Sequence, residues 1–308
     1  MESVKKYKVQ PIMTVEQSDL LAGIHLKAEH CGTLFTTSVD VYDKETGKCL
    51  AKFRKGVIPP DIQLSAYNAL LPAATITDNR GIAGGLHSEG STKRNLVKDG
   101  KYGGRMVRKS DGKISKQRRA NEVFSGLAGY YERSVRFPYC RLTAFNRHHL
   151  EKFEKAMPII NLVNEYYSKL MPYEYGLQKE MAENTSSDFV IGDTAFTTLT
   201  VNKNWQTAVH KDQGDYRFGF GNLLALRKGT FSGGWLCLPR WGIGFDLQNG
   251  DLLLMDVHQW HGNTPIVLED KNAVRLSLVM YYREKMIKCG TMEQELERAK
   301  RRRKGDKL

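Results

Sequence analysis

No stretch of the 308-residue chain approaches the roughly 18 consecutive apolar residues that a membrane helix needs, and the opening MESVKKYKVQ lacks the apolar centre of a secretory signal. The expectation is a soluble, intracellular protein with no membrane attachment. Cysteine is scarce and unpatterned: Cys31, Cys49, Cys140, Cys237 and Cys289 are odd in number, scattered and without a CxxC pair. That argues against a disulfide framework or a structural zinc site and for reduced thiols. No internal repeat is visible either. What is present, 41% hydrophobic and 10% aromatic residues, can fill a sizeable core for one large domain or two small ones.

Acidic residues are outnumbered, 34 to 47, but the placement of the excess says more than its size. Residues 91–120 carry eleven Lys/Arg against two Asp, and residues 298–308 carry seven against one. The rest of the chain is slightly acidic. Confinement to two segments suits a polyanion held at defined places better than a generally cationic surface.

A hairpin is expected where VDVYDKETGKCLAKFRKGVIP alternates around ETGK, and a short helix in the proline-bracketed PDIQLSAYNALLP. The glycine-rich, basic stretch TDNRGIAGGLHSEGSTKRNLVKDGKYGGR has no period and reads as a long loop. Pro158 suits the first turn of a helix whose apolar stripe is Ile159, Leu162, Val163, Tyr166, Tyr167 and Leu170. Thr291 and Gln294 form a capping-box pattern that opens a basic C-terminal helix. Between these helices, residues 195–283 break into short β-rich runs punctuated by Gly, Asn, Pro or Asp, as a sandwich or barrel requires. The expected fold is α+β, a double-stranded β-helix (jelly-roll) core buttressed by helices. Three regions are expected: a mixed α/β region over 1–140 with its basic loop, the helical buttress and β core over 141–288, and a basic tail over 289–308.

Chemistry concentrates in AVHKDQGDYRFG. In extended chain, side chains two apart leave the same face, so His210 and Asp212 can grip one ion while Lys211 points away. Alone, such a pair is weak evidence. A third ligand must come from GDLLLMDVHQWHGNTPI, which offers His258 and His261. If the strand continues without a bulge, His261 shares the apolar, inward face and Asp256 and His258 the outward one; one bulge would exchange them. Two histidines and a carboxylate leave half of an octahedron open, the donor set of non-haem Fe(II) oxygenases. Downstream, AVRLSLVMYY places Arg275 and Ser277 on one face among apolar neighbours. A guanidinium there needs an anion: either an ordinary ion pair with Asp212, Asp251 or Asp256, or the far carboxylate of a dicarboxylate cosubstrate.

The stretches DTAFTTLTVN, HKDQGDYRFGFGNLLAL, GGWLCLPRWGIGFDLQNGDLLLMDVHQWHGNTPI and VRLSLVMYY closely resemble the TET/base J-binding-protein family of 2-oxoglutarate and Fe(II) dioxygenases, in its thymidine hydroxylase-like branch. DNRGIAGG and GYYERSVRFPYCRLTAFN are similar to the same branch, less specifically. The resemblance implies iron ligands at His210, Asp212 and His261, a cosubstrate arginine at Arg275, and Fe(II), 2-oxoglutarate and O2 as cofactors, with ascorbate as a reductant. It also implies hydroxylation of the 5-methyl group of thymine or 5-methylcytosine, and hence DNA as partner with the target nucleotide flipped from the stack. No added DNA-reading module and no obligate protein partner is evident.

Candidate DNA contacts are therefore Lys93, Arg94, Lys98, Lys101, Arg105, Arg108 and Lys109 of the basic loop, with Arg80 on the substrate side. Tyr102, Tyr130 and Tyr131 are candidates for stacking on bases. The expected compartment is the nucleus or host cytoplasm, wherever that DNA lies. Alternatives are oxidation of an N-alkylated base, RNA or protein, a silent nucleic-acid-binding jelly roll, and a metal-dependent hydrolase or isomerase.

Overall fold

The computed structural model describes residues 4–85, 96–97, 104–108 and 110–304. Its main sheet runs, in spatial order, through Lys5–Val9, Val39–Asp43, Cys49–Arg54, Leu252–Met255, Gly221–Lys228, Val274–Tyr281, Thr198–Lys203, Val123–Tyr131 and Arg141–Leu142, and Ile76–Thr77 adds to the side of Val123–Tyr131. A smaller sheet joins Gly262–Asn263, Leu236–Leu238, Ile243–Phe245 and Thr33–Phe35. Side chains of both meet in one apolar cluster that includes Phe53, Leu223, Leu236, Ile243, Phe245 and Leu253. Two sheets face to face with helices on the outer side make the expected double-stranded β-helix, here open and not a closed barrel.

Alternation along Val274–Tyr281 aims the site. Leu276, Leu278 and Met280 enter a second cluster with Phe153, Ile160, Val163 and Tyr167 of the helix Leu150–Leu170. Arg275, Ser277, Val279 and Tyr281 leave the opposite face and line a cavity. Truncating a buried leucine to alanine costs about 2–5 kcal/mol, so the helix-facing row fixes a register that a one-residue slip would invert. Leu252–Met255 is buried on both faces, because clusters lie on both sides of the sheet. The expectation that one of its faces looks outward was wrong for that reason.

Three further readings are corrected. The helix expected to start at Pro158 starts at Leu150 and keeps Pro158 inside. Phe153 and Ala156 already face the core, so tertiary packing carries the helix through the proline. The stretch read as one long loop is partly sheet: Leu96–Val97, Gly104–Val107 and Ile114–Arg119 pair antiparallel. Finally, Cys31 pairs with Cys237 and Cys140 with Cys289 as disulfides, leaving Cys49 free. Partners 206 and 149 residues apart leave no spacing signature to read. Among the described residues no helix is long and apolar enough to cross a membrane.

Candidate metal centre and its cavity

His210 and His261 sit on neighbouring backbone segments joined by a two-hydrogen-bond bridge, His210 N–H to His261 C=O at 2.9 Å and the reverse at 3.0 Å. The Asp212 N–H donates to Val257 C=O at 3.1 Å, which ties the third residue to the same turn. Each imidazole is oriented from behind: Nδ1 of His210 meets Ala208 C=O at 2.8 Å, and Nδ1 of His261 meets Gln259 C=O at 2.9 Å. With Nδ1 as donor, Nε2 of both rings keeps its lone pair and turns to Asp212, 3.4 Å from Oδ1 and 3.8 Å from Oδ2. One ligand atom from each of the three lies within 4.8 Å of the others, a spacing that one ion can bridge.

His261 is therefore the third member, but not by the parity argument. The strand ends at Met255, and a turn brings His261 back to His210. His258, the alternative, is occupied elsewhere. Its Nδ1 lies 3.2 Å from Asp256 Oδ1 and its Nε2 3.4 Å from Asp215 C=O. Asp256, buried rather than outward, also accepts from Lys48 Nζ at 2.7 Å and Gln259 Nε2 at 3.1 Å. Burial opposes its ionisation, yet His258 and Lys48 hold its carboxyl well below the ordinary range. This hub fixes the turn whose Gln259 carbonyl orients His261.

Protonation is divided unevenly. Burial opposes a charge on Asp212, but hydrogen bonding and charge from His210 bring its carboxyl to about 2. Burial, reinforced by His210, pushes His261 down to about 4. For His210 burial again disfavours the cation, and Asp212 outweighs it, so this imidazole is raised above its usual value. The proton that competes with a metal near neutrality is thus the one on His210. Divalent-metal affinity is expected to rise up to about tenfold per pH unit below the raised His210 value and to level off above it. Anaerobic Mn(II) titrations across that range check this, and a pH-independent affinity would contradict it.

The cavity around these groups has a volume of about 510 Å³. It is lined by Asn202, Trp205, Thr207, Asn263, Arg275 and Ser277, with Leu223, Leu236, Leu247 and Val279 as apolar members of the lining. Arg275 is 3% exposed and forms none of the ion pairs considered for it. Asp251 is taken by Lys55 and Asp256 by Lys48. The Arg275 guanidinium lies 5.5 Å above the Phe231 ring, reaches Gly234 C=O at 3.4 Å, and leaves Nε buried without a partner. Burial lowers its pKa to about 10. An unneutralised guanidinium in a cavity fits a carboxylate ligand, and His2Asp fits a ferrous ion, so the residues present match Fe(II) and 2-oxoglutarate.

The lining also includes Asn79, Arg80, Gln213, Asp215, Tyr281 and Arg283. Asp215, in the same AVHKDQGDYRFG stretch as His210 and Asp212, is 6% exposed. Burial and the Asp212 charge push its carboxyl well above the ordinary range, against Arg283. Arg283 Nη1 approaches Asp215 Oδ1 at 3.4 Å while Nη2 binds Glu132 Oε1 at 2.7 Å. Tyr281 was legible from the alternation that gave Arg275; Asn202, Thr207 and Asn263 carried no comparable signal. Arg80 lines the cavity, with a buried Nε that has no hydrogen-bond partner among the described residues.

The basic segments behave less uniformly. Arg108 pairs with Asp111 at 2.7 Å, and Arg119 with Asp78 at 3.2 Å, which anchors the hairpin beside Asn79 and Arg80. Arg105 lies opposite Arg118 in the hairpin. Lys93, Arg94, Lys98, Lys101, Lys109 and Tyr102 lie outside the described residues. Tyr130 packs edge-on to Phe189 at 5.6 Å and belongs to the core, not to a stacking surface. The C-terminal charge run begins on the helix Met292–Lys304, whose Thr291–Gln294 capping box is formed.

Comparison with known proteins agrees with this geometry. The model of the Tet_JBP family, described as the oxygenase domain of the 2OGFeDO superfamily, matches residues 126–284. Thymine dioxygenase JBP1 of Trypanosoma brucei brucei is 36% identical over 163 residues, 52% of this chain and 19% of that protein. Bifunctional helicase and thymine dioxygenase JBP2 of Leishmania tarentolae is 30% identical over 255 residues, 81% of this chain and 20% of that protein. The chain thus spans about a fifth of the length of these curated relatives. The structure of NgTET1 in complex with 5mC DNA shares the fold, with TM-score 0.56 and 14% identity over 87% of this chain and 86% of that one.

Proposed function

The chain belongs to the Tet_JBP family of oxygenase domains in the 2OGFeDO superfamily, and from that premise we propose that it hydroxylates the 5-methyl group of thymine or 5-methylcytosine in DNA, using Fe(II), 2-oxoglutarate and O2. The observation that carries the reading is the pairing, within one cavity, of the His210–Asp212–His261 group with the unneutralised Arg275. A hydrolase or isomerase has no use for that arginine, and a silent binding module has none for the ligand set. The names of the curated relatives, thymine dioxygenases, support the substrate class.

In this reading His210 Nε2, the Asp212 carboxylate and His261 Nε2 would hold Fe(II). Arg275 and Ser277 take the distal carboxylate of 2-oxoglutarate, and the apolar walls keep water from the reacting end. When bound, the metal and cosubstrate would activate O2, which oxidises 2-oxoglutarate to succinate and CO2 and the methyl group to hydroxymethyl. The protein's own task is placement. Arg80, Asp215, Tyr281 and Arg283 line the cavity into which the flipped base enters, and the duplex gives up a few kcal/mol of stacking and pairing to deliver it. Basic side chains outside the cavity hold the phosphates, and the enzyme acts in whichever compartment holds its DNA.

Incubation with Fe(II), 2-oxoglutarate, ascorbate and DNA containing thymine or 5-methylcytosine, followed by nucleoside mass spectrometry, tests the reading. The expected result is a nucleoside heavier by one oxygen, formed with stoichiometric succinate. Succinate formation that depends on RNA, protein or an N-alkylated base while 5-methylpyrimidine DNA stays unchanged would replace the substrate. No Fe(II)-dependent succinate at all would remove the oxygenase reading.

A further inference from the structure

Three guanidiniums, those of Arg136, Arg141 and Arg147, gather where the strand Val123–Tyr131 turns into Arg141–Leu142, and among the described residues none has a carboxylate partner. Arg141 stands opposite Tyr131 in the strand register. Its guanidinium lies 4.5 Å from the Tyr131 ring centre and 4.2 Å from that of Phe137, and its Nη1 is buried with no hydrogen-bond partner. Arg136 lies over the same Phe137 ring at 5.3 Å, and Arg147, whose Nε donates to His148 Nε2 at 3.4 Å, is in the last turn of the short helix Ala144–His148 that follows.

The carboxylates nearest in this part of the fold are already committed. Glu132 grips Arg283, and Glu295 binds Arg133 and the Cys140 N–H. Burial lowers the pKa of Arg141; Tyr131 and Tyr139 oppose that, and the charges of Arg136 and Arg147 add to it. Like charges held together on rigid aromatic supports cost self-repulsion that a bound polyanion removes.

Two observations identify the polyanion. The cluster is continuous with the cavity: Glu132, next to Tyr131, holds the cavity residue Arg283, and Tyr131 is among the groups that act electrostatically on Arg80. Between Ser134 and Phe137 the chain makes a turn closed by Ser134 N–H to Phe137 C=O at 2.8 Å, and its tip presents Val135 at 101% exposure beside Arg136. An apolar tip flanked by arginines suits a surface where phosphates alternate with stacked bases. We propose that Arg136 on Phe137, Arg141 on Tyr131 and Phe137, and the nearby Arg147 form a phosphate-binding platform for the DNA strand that carries the target nucleotide, next to the mouth of the cavity. It is separate from residues 91–120, to which the sequence assigned this task, and whose Arg108 and Arg119 are spent on Asp111 and Asp78. The proposal rests on the DNA reading above.

The test measures binding of a fluorescent duplex as a function of salt, with Mn(II) and 2-oxoglutarate bound so that no turnover occurs. Arg136→Ala/Arg147→Ala removes two exposed cations and is expected to weaken binding roughly tenfold near physiological salt. It should also lower the slope of log K against log salt by about two, since each lost phosphate contact removes about 0.9. Lys155→Ala/Lys169→Ala, an equal loss of charge on the helix Leu150–Leu170, should leave the slope unchanged. Wild-type binding in the double arginine variant, or equal losses in both pairs, would overturn the platform while leaving the DNA reading standing. Absence of salt-dependent DNA binding by the wild-type protein would overturn both.

Discussion

Asp212→Asn is expected to reduce affinity for Fe(II) or Mn(II) by at least about a hundredfold and to abolish 2-oxoglutarate turnover. Disturbing the groups that merely orient a ligand already costs about 10- to 100-fold, and Asp212 is the one anionic member of the candidate ligand group. The same carboxylate raises the pKa of His210 against the effect of burial. In metal-free Asp212→Asn the His210 titration should therefore fall below its wild-type position, a shift readable by NMR. A variant with wild-type metal affinity would show that the ion sits elsewhere, and an unmoved His210 titration would show that the electrostatic coupling is absent.

Arg275→Met is expected to raise KM for 2-oxoglutarate about a hundredfold or more, from the loss of about 3 kcal/mol of charge-assisted bonding to a buried carboxylate. Its effect on the metal-free, cosubstrate-free protein should have the opposite sign. A guanidinium that is 3% exposed and has no ion pair among the described residues, only the more distant charge of Asp246, is a cost to the empty fold. An apolar side chain of similar reach should leave the thermal midpoint unchanged or raise it. Adding 2-oxoglutarate with Mn(II) should then stabilise the wild type more than the variant. Equal stabilisation of both would place the cosubstrate carboxylate away from Arg275.

Legibility followed period and chemistry. The alternation of Val274–Tyr281 was readable because leucines and a methionine mark one face, and it also gave the cavity side, Arg275 through Tyr281. His210 and Asp212 were readable from a two-residue spacing that extended chain translates into a shared direction. His261 was selected for a reason the structure does not uphold, since Leu252–Met255 is buried on both sides and the histidine returns through a turn held by Asp256. A turn stabilised by one buried carboxylate leaves no periodic trace. The disulfides were illegible for a related reason: they depend on which distant segments meet. Pro158 misled because local preference yields when a helix has an apolar face to bury on either side of the proline.

Diffraction from crystals loaded anaerobically with Fe(II) and 2-oxoglutarate, with anomalous data at the iron edge, tests the central claim most directly. The account predicts one iron peak bonded to His210 Nε2, the Asp212 carboxylate and His261 Nε2, with the distal carboxylate of the cosubstrate on the Arg275 guanidinium. An iron peak bonded to His258, or 2-oxoglutarate bound with Arg275 uncontacted, would contradict it.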